Sequence, residues 1–535
     1  MDRPQIHETA MPTSATGYTT PTFDPAFLAM LPRFPGPPRP ASVVSRPERF
    51  RLMRHANVDR ASKKALGQFL TSSATAHFAA SLFEKPNDPV RLLDAGAGAG
   101  ALLAAVLERF GRVEAADAIE TDPDMLPPLS GVLASARRKG ARVRYVGDCF
   151  LSWGLDYHRQ DRTNYTHAIL NPPYQRMSTK PDVRFALRKA GMDVSNTYTA
   201  FVALVLKRLV PGGELVAILP RSFLTGSTHA AFRRWLLDRA ALTHVHVYGS
   251  RNAVFSDDDV LQEIVVVHLR RGVGQGHITV STSTDDTMSD FFQTGHCPSA
   301  LLRPGDPECR IRIPDHDADV PLDARPGFDR TLSDLGVSVS TGPIIRSRVL
   351  NHLRPSGSEE THPLLHTRHH AGSGIEWPHA AGSDEEALSI DAPGHLTYPV
   401  GDYVLVRRYS FKEGARRVMP ALLRPEDLPE GTTRISVQDK FNVLHIDRGG
   451  LPGALALGLT AYLGTSLVEA HVRSLSGTTQ INAVDLRTLP CPSVDVLCDL
   501  GKWAATQEEW PDAAALDDRL QHMMETDPAR EDATA

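Results

Sequence analysis

The stretch His167-Ala168-Ile169-Leu170-Asn171-Pro172-Pro173-Tyr174 decides how the middle of this chain folds. Its first four residues form a short apolar run, which predicts the end of a buried strand. The two prolines stop the strand and fix the backbone of the turn that follows. An amide, a bare carbonyl and an aromatic ring are therefore held at the carboxyl edge of a sheet, where open α/β sheets bind ligands.

The tetrapeptide Asn171 to Tyr174 contains no acid, base or metal ligand. It offers two acceptors, the Asn171 side-chain oxygen and the Pro172 carbonyl, beside the flat ring of Tyr174. This set suits the binding of a planar amine or amide while another molecule reacts with its nitrogen. A turn that only ends a strand could use the same four residues, so the tetrapeptide alone leaves both interpretations open.

A glycine-rich loop precedes this motif in the chain. The stretch Val90 to Gly100, VRLLDAGAGAG, runs into the apolar segment Ala101 to Leu107. This pattern predicts a buried strand, a tight turn and a helix, with small residues that let a ligand lie on the backbone at the helix start. The spacing departs from the dinucleotide fingerprint GxGxxG, so the loop alone does not define its ligand.

Acidic residues end the next two predicted strands. The strand Val113 to Ile119 closes on Glu120, where a carboxylate can accept both hydroxyls of a ribose. A solvated strand end is the alternative for Glu120. The strand Val143 to Val146 leads to Asp148, whose carboxylate can accept from an adenine amino group.

The βα alternation continues after the tetrapeptide and predicts an α/β fold with a doubly wound, mostly parallel sheet. We expect an antiparallel hairpin from the last two strands of this series. The predicted elements are the helix Thr199 to Leu209, the turn Pro211-Gly212-Gly213, the strand Glu214 to Leu219, the helix Thr228 to Arg239, and the strands Thr243 to Tyr248 and Gln262 to Leu269.

Composition divides the chain of 535 residues into four segments. Residues 1–45 are rich in proline and predict a flexible lead-in. Residues 46–284 carry the βα pattern, and residues 285–492 predict a mixed α+β domain of short strands with later helices. Residues 493–535 predict a C-terminal helix and a frayed tail.

The overall composition is that of a soluble globular protein, with 41% hydrophobic and 23% charged residues and a net charge of −5. The five cysteines lack metal-finger spacing, which favours a reduced cytoplasm. Although His366, His369 and His370 lie close together in the sequence, no metal motif accompanies them, and we expect no metal site. We also expect no signal peptide and no membrane span.

A basic run lies in the third segment, interleaved with Tyr409 and Phe411. It predicts either a solvated face or a surface that contacts phosphates. Its members are Arg407, Arg408, Lys412, Arg416 and Arg417.

Taken together, the motifs resemble those of the N6-adenine DNA methyltransferases of type II restriction–modification systems, of the gamma-type amino-methylase class. The resemblance runs from about Lys63 to Pro492, and its motifs occur in the family's order. They are GQFLT (67–71), LLDAGAGAGALL (92–103), IETDP (119–123), GDCFL (147–151), NPPY (171–174), NAVF (252–255) and SLSGTTQINAVDLRTLPCP (474–492).

The resemblance implies a Rossmann-like S-adenosylmethionine-dependent methyltransferase domain followed by a DNA-recognition domain. It implies catalytic roles for Asn171, Pro172, Pro173, Tyr174 and Phe255, and DNA contacts from the basic run. The residues implied to bind S-adenosylmethionine are Thr71, Asp94, Gly96, Gly98, Gly100, Glu120, Asp148, Phe150 and Asn171. Cys149 departs from the family pattern between Asp148 and Phe150, which puts the adenine-packing role of Phe150 in question.

The same resemblance implies double-stranded DNA as the substrate, a monomer on DNA, a separately encoded restriction endonuclease and a bacterial cytoplasmic location. The last motif is similar to the XhoI-like branch, which would imply a CTCGAG-type palindrome. Related NPPY enzymes modify protein glutamine or RNA guanine, and a non-catalytic DNA-binding module is a further alternative. Those enzymes resemble this chain only to about residue 270, whereas a module without catalysis would not need an intact loop and tetrapeptide.

Overall fold

The computed structural model describes residues 46–57, 70–84, 89–159, 165–177, 181–249, 263–303, 305–313, 322, 325–380, 382–410, 414–475 and 480–526. Several predictions fall outside these residues: the lead-in over 1–45, the motif NAVF (252–255) with Phe255, Phe411 and Lys412 of the basic run, and the tail after residue 526.

Nine strands of the first half form one sheet. They are β1 (Arg91–Ala95), β2 (Ala115–Ile119), β3 (Arg142–Val146), β4 (Tyr165–Leu170), β5 (Leu209–Pro220), β6 (Ala240–Tyr248), β7 (Ile264–Arg271), β8 (Ile278–Ser283) and β9 (Phe292–His296). Their order is β3-β2-β1-β4-β5-β7-β6-β8-β9. The first five strands pair in parallel. β6 and β7 pair antiparallel, which confirms the predicted hairpin.

Helices cover both faces of this sheet, as the predicted doubly wound fold requires. They are α1 (Arg46–Asn57), α2 (Ser73–Ser81), α3 (Ala101–Phe110), α4 (Leu126–Arg138), α5 (Phe150–Arg159), α6 (Pro181–Lys189), α7 (Thr197–Arg208), α8 (Ser222–Thr225), α9 (Ala230–Leu237) and α10 (Pro298–Leu301). Leu92 packs into the core shared with α2, α3 and α4, whereas Leu93 packs into the core shared with α5 and α7. Successive strand residues point to opposite faces, so β1 must be apolar on both.

The predicted turn Pro211-Gly212-Gly213 is wrong, because these residues lie within β5. The pairing of β4 with β5 jumps from Tyr165–Leu209 to His167–Glu214. The extra residues therefore bulge out of a continuing strand and do not reverse the chain. The turn-forming residues correctly indicated a local irregularity. They did not indicate that β5 would stay hydrogen-bonded to β4 on both sides of it.

The predicted boundary after residue 284 lies inside the sheet domain. β9 pairs antiparallel with β8 at the sheet edge. Leu301, Ile311 and Ile313 then complete the core on the α7 face. β9 (FQTGH) is the edge strand, and β8 (ITVSTS) lies between β6 and β9. Both contain few apolar residues, so neither has a strong strand pattern.

The rest of the chain forms the predicted mixed α+β region. Its strands are β10 (Arg330–Thr331), β11 (Ser338–Thr341), β12 (Leu353–Arg354), β13 (Thr361–Leu365), β14 (His370–Ala371), β15 (Gly374–Ile375), β16 (Ala387–Ser389), β17 (Thr397–Pro399), β18 (Tyr403–Arg407), β19 (Pro420–Leu423), β20 (Arg434–Val437), β21 (Phe441–His445) and β22 (Pro490–Cys491). They form sheets of order β11-β21-β18-β19-β15-β14, β12-β16-β13-β20-β17 and β10-β22.

The helices of this region are α11 (Arg346–Val349), α12 (Gly453–Leu463), α13 (Ser466–Leu475), α14 (Ala483–Arg487), α15 (Val494–Ala505) and α16 (Ala513–Thr526). The helix predicted after residue 493 is present as two helices, α15 and α16, and the predicted tail after Thr526 lies outside the described residues. Leu497, Leu500, Leu516 and Leu520 are buried in the core that includes α12. No single described helix is long and apolar enough to cross a membrane, although Gly453–Leu463 and Ser466–Ser474 together meet that test with a 64° bend between them.

Candidate active site

A cavity of about 270 Å³ lies at the carboxyl ends of β1, β2, β3 and β4. This is the edge at which the sequence predicted a ligand site. Its walls are formed by Leu70, Gly96, Gly98, Ile119, Glu120, Thr121, Met125, Asp148, Cys149, Phe150, Leu151, Asn171, Pro173, Gln175, Thr197 and Phe201. The structure therefore brings six of the nine predicted cofactor residues into one wall.

The glycine loop needs glycine because its backbone is left-handed at alternate positions. Gly96, Gly98 and Gly100 have φ values of +78°, +52° and +87°. Gly100 is set back from the cavity walls: a Cβ there would lie 3.1 Å from Leu129 and 3.2 Å from Val132. The role of Gly100 is close packing between the start of α3 and α4, which differs from the predicted cofactor contact.

Glu120 is the most firmly held acid in the cavity. One carboxylate oxygen accepts from the Gly98 amide at 2.8 Å, and the other accepts from Thr121 and Asp122 at 2.9 and 2.8 Å. The side chain is buried at 6% exposure. These amides fix the orientation of the carboxylate at the end of β2, where it can still meet a ligand hydroxyl in the cavity.

Asp94 lies behind the loop and is fully buried. Burial, and next the charge of Glu120, raise the pKa of Asp94 to about 8, while the Leu103 amide opposes this shift. Asp94 does not belong to the described cavity walls. Any contribution to cofactor binding must therefore act through the loop and Glu120, in contrast to the predicted direct contact.

The end of β3 supplies a polar and an aromatic group side by side. Asp148 is exposed in the cavity wall, and its Oδ1 accepts from the Cys149 amide at 2.7 Å. The ring of Phe150 lies 4.6 Å from that of Phe201. Phe150 thus lines the cavity at the predicted position although Cys149 interrupts the family pattern.

Asn171 links the two sides of the site. Its Nδ2 donates to the Thr71 hydroxyl at 3.1 Å, and its Oδ1 accepts from the Tyr174 hydroxyl at 3.0 Å. Thr71 and Tyr174 thus hold the two ends of the amide, with the carbonyl oxygen on the Tyr174 side. Thr71 itself precedes α2, whose N-cap is Ser72.

Tyr174 is packed inward. Its ring lies edge-on to that of Tyr198 at 6.0 Å, and its hydroxyl also donates to the Ile218 carbonyl at 3.3 Å. Burial, and next Tyr198, raise the pKa of the Tyr174 hydroxyl well above its usual value. Tyr174 therefore stays protonated and acts as a donor, so the tetrapeptide contains no general base, as its composition predicted.

The basic run divides into two parts. Arg408 donates to the Asp439 carbonyl at 2.7 Å, and its guanidinium lies 5.6 Å from the exposed ring of Tyr409. Lys440, which sequence reasoning missed, lies 4.6 Å from the same ring. We call Arg408, Tyr409 and Lys440 the cation–aromatic cluster.

The other part of the run turns inward. Arg416 donates to the Thr465 carbonyl at 3.1 Å. Arg417 is 0% exposed, so the prediction that it contacts DNA at the surface is wrong. Burial and Arg473 lower the pKa of Arg417, whereas Glu263 at the start of β7 raises it. Arg417 therefore lies where the sheet domain and the C-terminal region meet.

The clustered histidines have partners within the protein. His369 contacts Glu386 at 2.6 Å, and His370 contacts the Met419 carbonyl at 3.2 Å. His366 contacts the Glu385 carbonyl at 2.5 Å. In the part of the chain that the structure describes, no group of three or more His, Cys, Asp or Glu side chains is arranged to hold a metal ion.

Some residues of the cavity wall were not predicted. Phe201 packs beside Gly96 and Phe150. In the sequence it belongs to the apolar pattern of α7, and that pattern does not distinguish a residue of the cavity wall from a residue of the core. Arg51 of α1 lines an adjoining space and belongs to none of the recognised motifs. Both become functional candidates only through their position.

A Rossmann-like sheet with this loop, these acids and NPPY at one edge defines an S-adenosylmethionine-dependent methyltransferase. The Eco57I restriction-modification methylase model matches residues 147–255. Over 479 residues the chain is 35% identical to the type II methyltransferase M.BsuBI of Bacillus subtilis, covering 87% of this chain and 95% of that protein. Over 463 residues it is 32% identical to M.PstI of Providencia stuartii, covering 83% and 90%.

The fold is also similar to that of the type IIL restriction-modification enzyme MmeI, solved in complex with DNA. The TM-score is 0.52 at 10% identity, covering 90% of this chain and 75% of that chain. The chain belongs to the type II DNA methyltransferases of restriction–modification systems. S-adenosylmethionine is its methyl donor. These relatives do not test the XhoI-like branch or its CTCGAG-type site, which stay predictions.

Proposed function

We propose that this methyltransferase modifies the N6 amine of an adenine extruded from duplex DNA. The observation that carries the proposal is Asn171 at the end of β4, in the wall of the cavity formed by the glycine loop. Its carbonyl oxygen offers an acceptor there, and no acid or base within the tetrapeptide competes for a proton. Such a site fits an exocyclic amine, which needs orientation more than deprotonation.

The protein groups that would hold the cofactor follow from the cavity. Glu120 accepts the ribose hydroxyls, and Asp148 accepts from the adenine amino group beside the Phe150 ring. The groups fit S-adenosylmethionine because both carboxylates are in the wall and the loop glycines let the ligand approach the backbone. When bound, S-adenosylmethionine supplies an electrophilic methyl group.

Asn171 and the Pro172 carbonyl accept hydrogen bonds from the target amine. The lone pair of this amine is delocalised into the adenine ring, and two such bonds favour the pyramidal nitrogen that forms during an in-line displacement. These bonds are therefore stronger in the transition state than in the ground state. Asn171 is held ready by Thr71, and a carbonyl oxygen has two lone pairs, so Oδ1 can accept from the amine in addition to Tyr174.

The target base must leave the duplex to reach this site, which costs a few kcal/mol. We propose that Tyr174 and Phe255 offset this cost by stacking, at roughly 1–3 kcal/mol for each aromatic contact. The edge-on contact with Tyr198 leaves Tyr174 partly exposed. The cation–aromatic cluster would contact the DNA backbone. The enzyme would act on DNA as a monomer in the bacterial cytoplasm, and a separately encoded endonuclease would be its partner in the restriction–modification system.

The test is to identify the modified base. DNA from cells expressing the chain is digested to nucleosides and measured by mass spectrometry, with Asn171→Ala as the inactive control. We expect N6-methyladenine only with the active protein, and sequencing of modified bases would then give the recognition site. A methylated cytosine would overturn the proposed target atom, and methyl transfer to protein glutamine or RNA guanine instead of DNA would favour the earlier alternatives.

A further inference from the structure

A second, smaller cavity of about 30 Å³ adjoins the first. The two share Leu70, Gly96, Gly98 and Asn171 in their walls. The other walls of the smaller cavity come from α1, from the glycine loop and from the first turn of α3. It therefore lies directly beside the cofactor cavity, with Asn171 and the glycine loop between the two.

Arg51 provides the charge in this space. Among the described residues that line the smaller cavity, it is the one with a charged side chain, and that side chain is 15% exposed. Its Nε and Nη2 donate to Glu48 at 2.7 to 3.2 Å, one turn earlier on α1. Glu48 also accepts from the Ser73 amide at 2.9 Å. This pairing orients the Arg51 side chain and joins α1 to the start of α2.

The opposite wall is also favourable for a negative group. Ala101 and Leu102 belong to the first turn of α3, and the N-cap of this helix, Gly100, provides no side-chain hydrogen bond. The amides of a first helical turn point outward along the positive end of the helix dipole. A guanidinium and a helix start therefore face one small space from two different elements.

We propose that Arg51, opposite the start of α3, binds the carboxylate at the methionine end of S-adenosylmethionine. This inference depends on the proposed placement of the adenosine end against Glu120 and Asp148. With that end in the larger cavity, the methyl group must lie toward Asn171, and the amino-acid end continues into the smaller cavity. The carboxylate is the anionic group of this cofactor, and Arg51 is the matching cation.

The experiment compares ligands that differ in the amino-acid end. Calorimetry on the full chain measures S-adenosylhomocysteine, which has the carboxylate, and 5′-methylthioadenosine, which lacks the whole amino-acid end. Arg51→Gln should weaken S-adenosylhomocysteine binding about 10- to 150-fold, the range for a lost charge-assisted hydrogen bond. Binding of 5′-methylthioadenosine should stay within about twofold, and decarboxylated S-adenosylmethionine should also be insensitive to the substitution.

Two controls make the outcome decisive. Arg49→Gln removes an exposed charge from the same helix and should leave all three affinities unchanged. Arg51→Lys should restore part of the S-adenosylhomocysteine affinity because it retains a cation. Equal weakening of all ligands would show that Arg51 only supports the packing of α1, and no weakening would remove it from the site; either result overturns the inference.

Failure of the underlying placement has a different signature. Glu120→Ala should weaken both S-adenosylhomocysteine and 5′-methylthioadenosine, because both carry the ribose. If Glu120→Ala leaves both affinities unchanged, the adenosine placement is wrong whatever Arg51 does. A normal thermal unfolding profile of each variant excludes loss of the fold as the cause.

Discussion

The two halves of the molecule place their polar residues by different rules. In the sheet domain, Glu120, Asp148 and Asn171 come from three strand ends and line one cavity. In the C-terminal region, Arg408 and Arg417 come from one short run, yet Arg408 is partly exposed and Arg417 is fully buried. Parallel strands bring their carboxyl ends to one edge, whereas a charged run without periodicity does not determine which way its side chains face.

The strongest test of the strand-edge rule is Asn171→Ala. We expect kcat to fall about 10²- to 10³-fold, since the lost acceptor acts mainly in the transition state. Affinity for DNA should remain nearly unchanged, as measured by titration of a labelled duplex. An unaltered kcat would mean that the edge position does not create the catalytic site.

The second test concerns the acid at the next strand end. Glu120→Ala should weaken cofactor binding by about 1.5–3 kcal/mol, because charge-assisted hydrogen bonds to the ribose are lost. Glu114→Ala is the matched control: it precedes the same strand but pairs with Arg142 at the surface. Calorimetry that gave both variants wild-type affinity would contradict the proposed role of Glu120.

A third test separates the two arginines of the basic run. Arg417→Ala should lower the free energy of unfolding on the order of 1–3 kcal/mol, because polar partners in a buried junction would lose their donor. Arg408→Ala should instead weaken DNA binding and reduce the slope of log affinity against log salt by about 0.9 per phosphate contact. Denaturant unfolding and salt-dependent DNA titration of both variants measure the difference.

If Arg417→Ala lowers the salt slope and leaves stability intact, the assignment of the two arginines must be reversed. If neither variant changes DNA binding, the cation–aromatic cluster is a solvated face.

The smallest effect comes from buried histidines of the sheet domain. Burial lowers the pKa of His246 to about 3 and that of His229 to about 4. Below the ordinary pKa of about 6.5 these histidines are protonated in the unfolded chain but stay neutral in the folded protein. The free energy of unfolding therefore falls as the pH falls from 6.5 toward 4. At pH 5.5 each contributes a loss of about 1.4 kcal/mol.

His246→Gln should make the acid limb of this dependence shallower when unfolding is measured by denaturant from pH 7 to 5. Exposed His395 provides the control, because His395→Gln removes a histidine that solvent can reach. Parallel pH curves for wild type and His246→Gln would contradict the neutral buried state.

The sequence predicted the sheet domain well because its signals are local and repeated. Each buried strand shows an apolar run, and each is followed by the glycines, acids or prolines that end it at the ligand edge. The same signals were too weak at β8 and β9, the last two strands at one side of the sheet, because both contain few apolar residues. The burial of α15 and α16 also depends on a partner, α12, that is distant in the sequence.

By itself the sequence determined the doubly wound fold, the family resemblance and the strand-end residues Glu120, Asp148 and Asn171. Only the tertiary structure decided that Arg417 is buried where it interacts with Glu263, and that Arg51 reaches the cofactor loop from an earlier helix. The physical reason is the distance in sequence over which each feature is determined. Strand ends are fixed by neighbours in the chain, whereas burial of a charged side chain depends on acids and helix starts that only folding brings near it.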